Sequence, residues 1–400
     1  MNTKKLNEKN RNAVIGTAFF VFLLLVFCAA FFYLHLKQCV SGKFSLDLWE
    51  SDMDAYMLEA SGEDSGFVFA YPLLFKLGAF FELFLNDYTA MAAATTLLHA
   101  LAMLTAYYCM RKAVLRGEES LGREITVSAV TAALFMVSMV FDPRRMMYPL
   151  LLGVGSPNTY HNATSIAASP FAIAVFFLYC DMLRNDGGRI ERRKAIALAV
   201  LLFLCCMAKP SYPLVFLAAA GLTEAFRLIK YKFRNIKEAV TLLLCVLPAM
   251  LYMLYQKSVM FGGEAGGIGF GYAEVWKAYK QFQKSVPLSL LKVTVFPLTV
   301  LAFNFRKLKD SFLYRFSWFQ FAVSAFSYFF LYESGIRKQN GNFMWGYDYG
   351  QFLLFAASGV ILLKSDDEKW KKGVQWAAFA LHLLCGILYF GKVLLGSTYM

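Results

Sequence analysis

The sequence predicts an all-α, polytopic membrane protein with about eleven transmembrane helices (roughly 9–13). Three observations carry this reading. Of 400 residues, 58% are hydrophobic and only 17% are charged, where a soluble chain carries about 25% charged residues. The apolar residues gather in runs, several of them long enough to cross a hydrocarbon layer about 30 Å thick. Lysine and arginine gather between alternate runs, as the positive-inside rule requires. This composition excludes a disordered chain, a disulfide scaffold and an ordinary soluble globule. The net charge of +13 is explained by the basic inner loops; no basic stripe interleaved with aromatics points to nucleic acid. Seven of the eight cysteines lie inside apolar runs, where a thiol acts as a small hydrophobe, and they form no metal-ligand pattern.

The first twelve residues hold four basic side chains and one acid. Residues 13–36 follow as a retained first span, too long for the apolar region of a signal peptide. Ten further spans are expected at 90–110, 125–141, 165–183, 195–208, 212–229, 239–256, 287–303, 312–332, 347–363 and 374–395. With the N-terminus cytoplasmic, the inner segments total 63 residues and hold 24 of the 40 Lys and Arg, while the outer segments total 127 residues and hold 12. The C-terminus then lies outside, and the chain is a single membrane domain, residues 1–400, of the plasma membrane. Within it, 37–89 is the first extracytoplasmic loop. Residues 71–85 are apolar but too short to span, and are read as an amphipathic helix on the outer surface. Residues 195–229 are read as a hairpin of two short spans meeting at Lys209-Pro210.

Unusual residues concentrate on the outer face. Between Lys37 and Ala70, before the surface helix, the first loop holds seven acids: Asp47, Glu50, Asp52, Asp54, Glu59, Glu63 and Asp64. The stretch from Glu50 to Ala60 reads as a helix past Asp54, with Ser51 or Asp52 as its cap, which places carboxylates where the helix dipole favours their charged form. The second outer segment contains Asp142-Pro143-Arg144-Arg145, then a polar run with Asn158, Tyr160, His161 and Asn162 just before a span, read as a polar wall. Asn162-Ala163-Thr164 matches the glycan acceptor pattern but abuts a span, so it is set aside. Lys209 sits at the hairpin apex, where a lone charge is costly unless it meets water or an anion. The glycine-rich stretch 262–269 lacks the Lys-Ser/Thr ending of a nucleotide loop. Arg337 and Lys338 precede an aromatic belt.

Separated basic groups facing outer carboxylates suit a ligand with a phosphate head and a long apolar tail. Arginine and lysine would hold the phosphate, and a carboxylate would take a proton from an acceptor hydroxyl. A divalent cation, Mg or Mn, could bridge carboxylate and phosphate. The largest cytoplasmic segment has 14 residues, too few for a nucleotide-binding domain, so a lipid-carried sugar is the expected donor.

Asp52-Met53-Asp54 in a long outer loop after the first span, the surface helix beginning near Tyr71-Pro72 and the basic outer-loop residues together resemble integral-membrane glycosyltransferases of the GT-C superfamily, the bacterial type that uses polyprenyl-phosphate sugars. The resemblance implies transfer of a hexosyl or pentosyl group from a lipid-linked phosphosugar to a glycan, lipid or protein acceptor at the extracytoplasmic face. It also implies that Asp52 or Asp54, or both, act as base or metal ligand, with Asp52 preferred. Glu59 is a supporting candidate, His161 could orient the acceptor or bind phosphate, and Arg144, Lys209, Arg337 and Lys338 are candidate phosphate ligands. The alternatives are a transporter or flippase for a lipid-linked or anionic solute, and a polymerase or ligase of cell-surface polysaccharide in which Arg144 and His161 matter more than Asp52.

Overall fold

The structure, a computed structural model, describes residues 3–44, 46, 48–115, 120–141, 155–184, 190–261, 267–274, 277, 285–335, 338 and 341–396. The expected sites Arg144 and Arg337 lie outside the described residues, as do 142–154 and most of the glycine-rich stretch.

Among the described residues the chain is all-α apart from one short antiparallel pairing of two distant strands. Its helices are α1 (Thr3–Lys43), α2 (Met53–Ser61), α3 (Leu73–Glu82), α4 (Asp87–Val114), α5 (Leu121–Leu134), α6 (Ala163–Met182), α7 (Arg192–Ala208), α8 (Ser211–Lys230), α9 (Ile236–Phe261), α10 (Val286–Asn304), α11 (Lys307–Asp310), α12 (Phe312–Phe330), α13 (Met344–Lys364) and α14 (Lys369–Leu394). Side chains cap the starts of five of them, α4, α5, α6, α10 and α12. Asn86 accepts from the Thr89 N–H to start α4, Asp87 lies in the first turn, and Arg111 and Lys112 lie in the last.

Seven of the described helices are long and apolar enough to cross a membrane: α1, α4, α6, α8, α9, α10 and α14. The four other expected spans coincide with α5, α7, α12 and α13. Nearly every residue of α13 from Met344 to Leu362 is buried. A helix wrapped by protein on all sides can carry Asp348, Gln351 and Ser358 without exposing them to lipid, which lowers its hydropathy. Within the stretch 71–85, Leu73–Glu82 forms a helix, α3. Its ten residues rise about 15 Å, and Phe80, Leu83, Phe84 and Leu85 stay exposed at its end.

The hairpin at 195–229 also forms. Pro210 disfavours a helical residue before it, and Lys209 is extended (φ −170°, ψ 131°). Two expectations need correction. Residues 312–332 are not one helix: Leu331–Glu333 leaves it as a strand, β2, and pairs antiparallel with β1 (Ile268–Phe270). Gly269 permits this, because any Cβ there would stand 2.4 Å from the Tyr332 ring. Nor is 125–141 one helix, since α5 stops at Leu134 and the chain runs on as irregular, buried backbone. Its polar groups find partners from elsewhere. The Asn158 amide donates to the Leu134 and Val137 carbonyls at 2.8 Å each. The Tyr160 hydroxyl donates to Phe135 O at 3.0 Å. His382 Nδ1 lies 2.7 Å from Ser138 O, and its backbone carbonyl accepts the Ser138 N–H. Gly386 of α14 makes room for this segment, for its Cβ would fall 1.5 Å from Met136 O.

Candidate functional site

The site begins with the loop that follows α1. Trp49 adopts a left-handed conformation (φ 51°), and its indole N–H donates to the Leu394 carbonyl in the last turn of α14 at 3.3 Å. Three residues later Asp52 occupies the N-cap of α2 without capping it through its side chain. Its backbone N–H donates to the His161 carbonyl at 3.2 Å, joining the loop after α1 to the segment before α6. The carboxylate turns the same way: Oδ2 accepts from the Asn162 amide at 2.7 Å and lies 3.4 Å from the Tyr56 hydroxyl. Oδ1 makes no hydrogen bond among the described residues.

Asn162 is the centre of the arrangement. Its carbonyl oxygen caps α6 by accepting from the Ser165 N–H at 2.9 Å. That same oxygen accepts from the Thr164 hydroxyl at 2.8 Å and from the Lys209 ammonium at 2.7 Å. Its amide nitrogen serves Asp52 and, at 2.9 Å, Tyr56. Tyr56 is buried, and that burial, with Asp52 beside it, pushes its phenol well above the usual range.

Lys209 enters from the hairpin apex. It is only 6% exposed, donates also to Thr164 Oγ1 at 3.1 Å, and sits 4.5 Å from the centre of the Trp345 ring. Burial lowers its pKa to about 7, with Asp52 and Asp348 pulling in the opposite direction. His161 is neutral at ordinary pH, since burial lowers its pKa to about 4, and its ring lies 5.2 Å from Trp345.

The structure therefore brings together Asp52, His161 and Lys209 of the expected residues. Asp54 is exposed on the first turn of α2 and Glu59 lies further along it; neither side chain makes a hydrogen bond or ion pair among the described residues. Lys338 pairs with Glu274 at 3.1 Å and lies over Tyr332, beside the β1–β2 pairing. Sequence reasoning missed Tyr56, Thr164, Trp345 and Asp348 as members of the site. One signal for Asp348 was available: an ionisable residue inside an apolar run is costly and needs a purpose. Asn158 and Tyr160, read as part of a polar wall, instead hold the irregular backbone after α5.

These donors fit a divalent cation poorly. Asp52 is the one carboxylate bound at Asn162, where hard cations take several oxygens; Asp54 does not join it, and no group of three His, Cys, Asp or Glu side chains comes together among the described residues. Positive charge comes from Lys209. The arrangement can hold an anion beside the ammonium and accept a proton at Asp52 Oδ1. No protein-family model, curated protein or solved structure matches the chain.

Proposed function

We propose that this protein is a membrane-embedded glycosyltransferase of GT-C type, which moves a sugar from a polyprenyl-phosphate-linked donor to an acceptor hydroxyl on the extracytoplasmic face of the plasma membrane. One observation carries the reading: a partly open carboxylate, Asp52, is tied through the two ends of one amide, Asn162, to a buried ammonium, Lys209. A base and an anion ligand held at fixed separation are what glycosyl transfer from a phosphate needs.

In this reading the donor phosphate docks beside Lys209, which has spent two of its three N–H bonds on Asn162 and Thr164. The acceptor hydroxyl lies at Asp52 Oδ1. As its oxygen bonds to the anomeric carbon, the bond from that carbon to the phosphate oxygen breaks. The electron pair leaves with the phosphate against Lys209, and the hydroxyl proton passes to Asp52. Asn162 keeps Oδ2 engaged, so that Oδ1 faces the acceptor. The four shorter or more buried helices α5, α7, α12 and α13 complete eleven crossings, with the N-terminus inside and the C-terminus outside. His161 orients rather than titrates.

The deciding experiment measures transfer of radiolabelled sugar from lipid donors in membranes containing wild type, Asp52→Asn or Asp54→Asn at equal protein level. Loss of transfer with Asp52→Asn alone supports the reading, and full activity of that variant removes it.

The transporter reading has one observation of its own, the break after α5, because interrupted helices build ion and solute sites in transporters. Here the freed carbonyls of Leu134, Phe135, Val137 and Ser138 are taken by Asn158, Tyr160 and His382. That occupancy favours the transferase. Solute uptake into protein-containing vesicles, in the absence of any transfer, would reverse the preference.

A further inference from the structure

A cavity of about 50 Å³ lies between α6, α13 and the polar segment before α6. Trp345 lines it, and the same ring carries the Lys209 ammonium, so the cavity and the Lys209 site share a wall. Asp348, Ser165 and His99 also line it; they are 7%, 8% and 5% exposed. Among the described residues, both carboxylate oxygens of Asp348, the Ser165 hydroxyl and His99 Nδ1 lack a hydrogen bond of good geometry. The Ser156 backbone N–H and the Lys209 ammonium both face Asp348. Leaving such atoms bare is unfavourable, and an occupant that supplied their partners would relieve it. The opposite side is apolar, with Phe135, Ile173 and Phe352.

The chemistry of the walls narrows the occupant. A phosphodiester offers only acceptors and so supplies no donor to the Asp348 oxygens. A lipid tail would bury that carboxylate without a partner. A group with hydroxyls on one edge and C–H bonds on the other satisfies both sides, and the volume takes one edge of a ring rather than all of it. We propose that this cavity is a hydroxyl-binding subsite for the sugar of the donor, in which Asp348 accepts from a sugar hydroxyl while the attached phosphate lies on the Lys209 side of Trp345. The inference deepens the glycosyltransferase reading and rests on it for the donor's identity.

The test compares two lipids on the full chain in nanodiscs: decaprenyl phosphate bearing one hexose, and decaprenyl phosphate alone, with binding read by native mass spectrometry. Wild type should prefer the sugar-bearing lipid. Asp348→Asn should weaken binding of that lipid about tenfold, the effect of losing one charged hydrogen bond, and leave the bare lipid unchanged. Ser165→Ala should reduce the same preference by a smaller factor, and it serves if Asp348→Asn fails to fold. A loss shared equally by both lipids, or no loss in either variant, overturns the subsite. If wild type binds neither lipid, the donor reading has failed, and the subsite is then judged by free methyl hexosides. These should raise the melting temperature of wild type and not of the variant; equal shifts, or none, overturn it, as water alone would then fill the cavity.

Discussion

Asn162 and Asp52 stand 110 positions apart and share a 2.7 Å hydrogen bond, which fixes a carboxylate from the loop after α1 against the N-terminus of α6. Since the other end of the same amide holds Lys209, Asn162→Ala removes three things at once: a helix cap, the Asp52 partner and the closest acceptor of a buried ammonium. The expected outcome is a stability loss of about 2–3 kcal/mol, measured by thermal unfolding, together with at least a tenfold fall in transfer. Asn162→Asp should restore the cap and the Lys209 contact but place two carboxylates together, recovering stability without activity.

Asp52→Asn should reduce kcat by about 10²–10⁴-fold, the range for losing a positioned general base. Asp54→Asn should stay within about twofold, because Asp54 is exposed on the far side of the turn. Initial rates in membranes, normalised to inserted protein, would separate the two.

Anion binding should weaken with alkali. Burial holds Lys209 near pKa 7 in the free protein, so the ammonium that receives a phosphate is lost as pH rises through that value. Affinity for decaprenyl phosphate is expected to fall about tenfold per unit above pH 7. The sign for stability is opposite. The folded state resists protonating Lys209 while the unfolded chain does not, so this group's contribution is most unfavourable below pH 7 and improves up to about pH 10.4. Lys209→Arg keeps its charge throughout and should flatten the binding profile.

Gly386→Ala should destabilise the protein by several kcal/mol or prevent its folding, since the new methyl falls on the Met136 carbonyl. Expression level and melting temperature in detergent would register this. Gly373→Ala, whose Cβ meets nothing within 4 Å on the same helix, should cost nothing and stabilise by up to about 1 kcal/mol.

Much of this arrangement was legible in order along the chain. Apolar runs mark the helices because their lengths are set by the hydrocarbon layer, and Pro210 marks the hairpin because it restricts the residue before it. Lys209 and Asp52 stood out as charges where charge is costly or concentrated. The rest depends on contacts between distant segments. Nothing local in 135–141 says that its carbonyls will be taken by Asn158, Tyr160 and His382, so the run reads as a continuation of helix. The strand at Leu331 follows from what Gly269 allows across the pairing. Asp348 reads as the polar start of a span until α13 is seen to be enclosed by protein.

The clasp between Trp49 and the Leu394 carbonyl has a practical side for anyone handling the molecule. Affinity tags, fusions or trimmed ends placed after α14 pull on a loop three residues from Asp52, so they should alter turnover even though they are attached to the opposite terminus of the polypeptide. A label on the amino-terminal end, where α1 begins a full helix-length away, leaves that fastening alone.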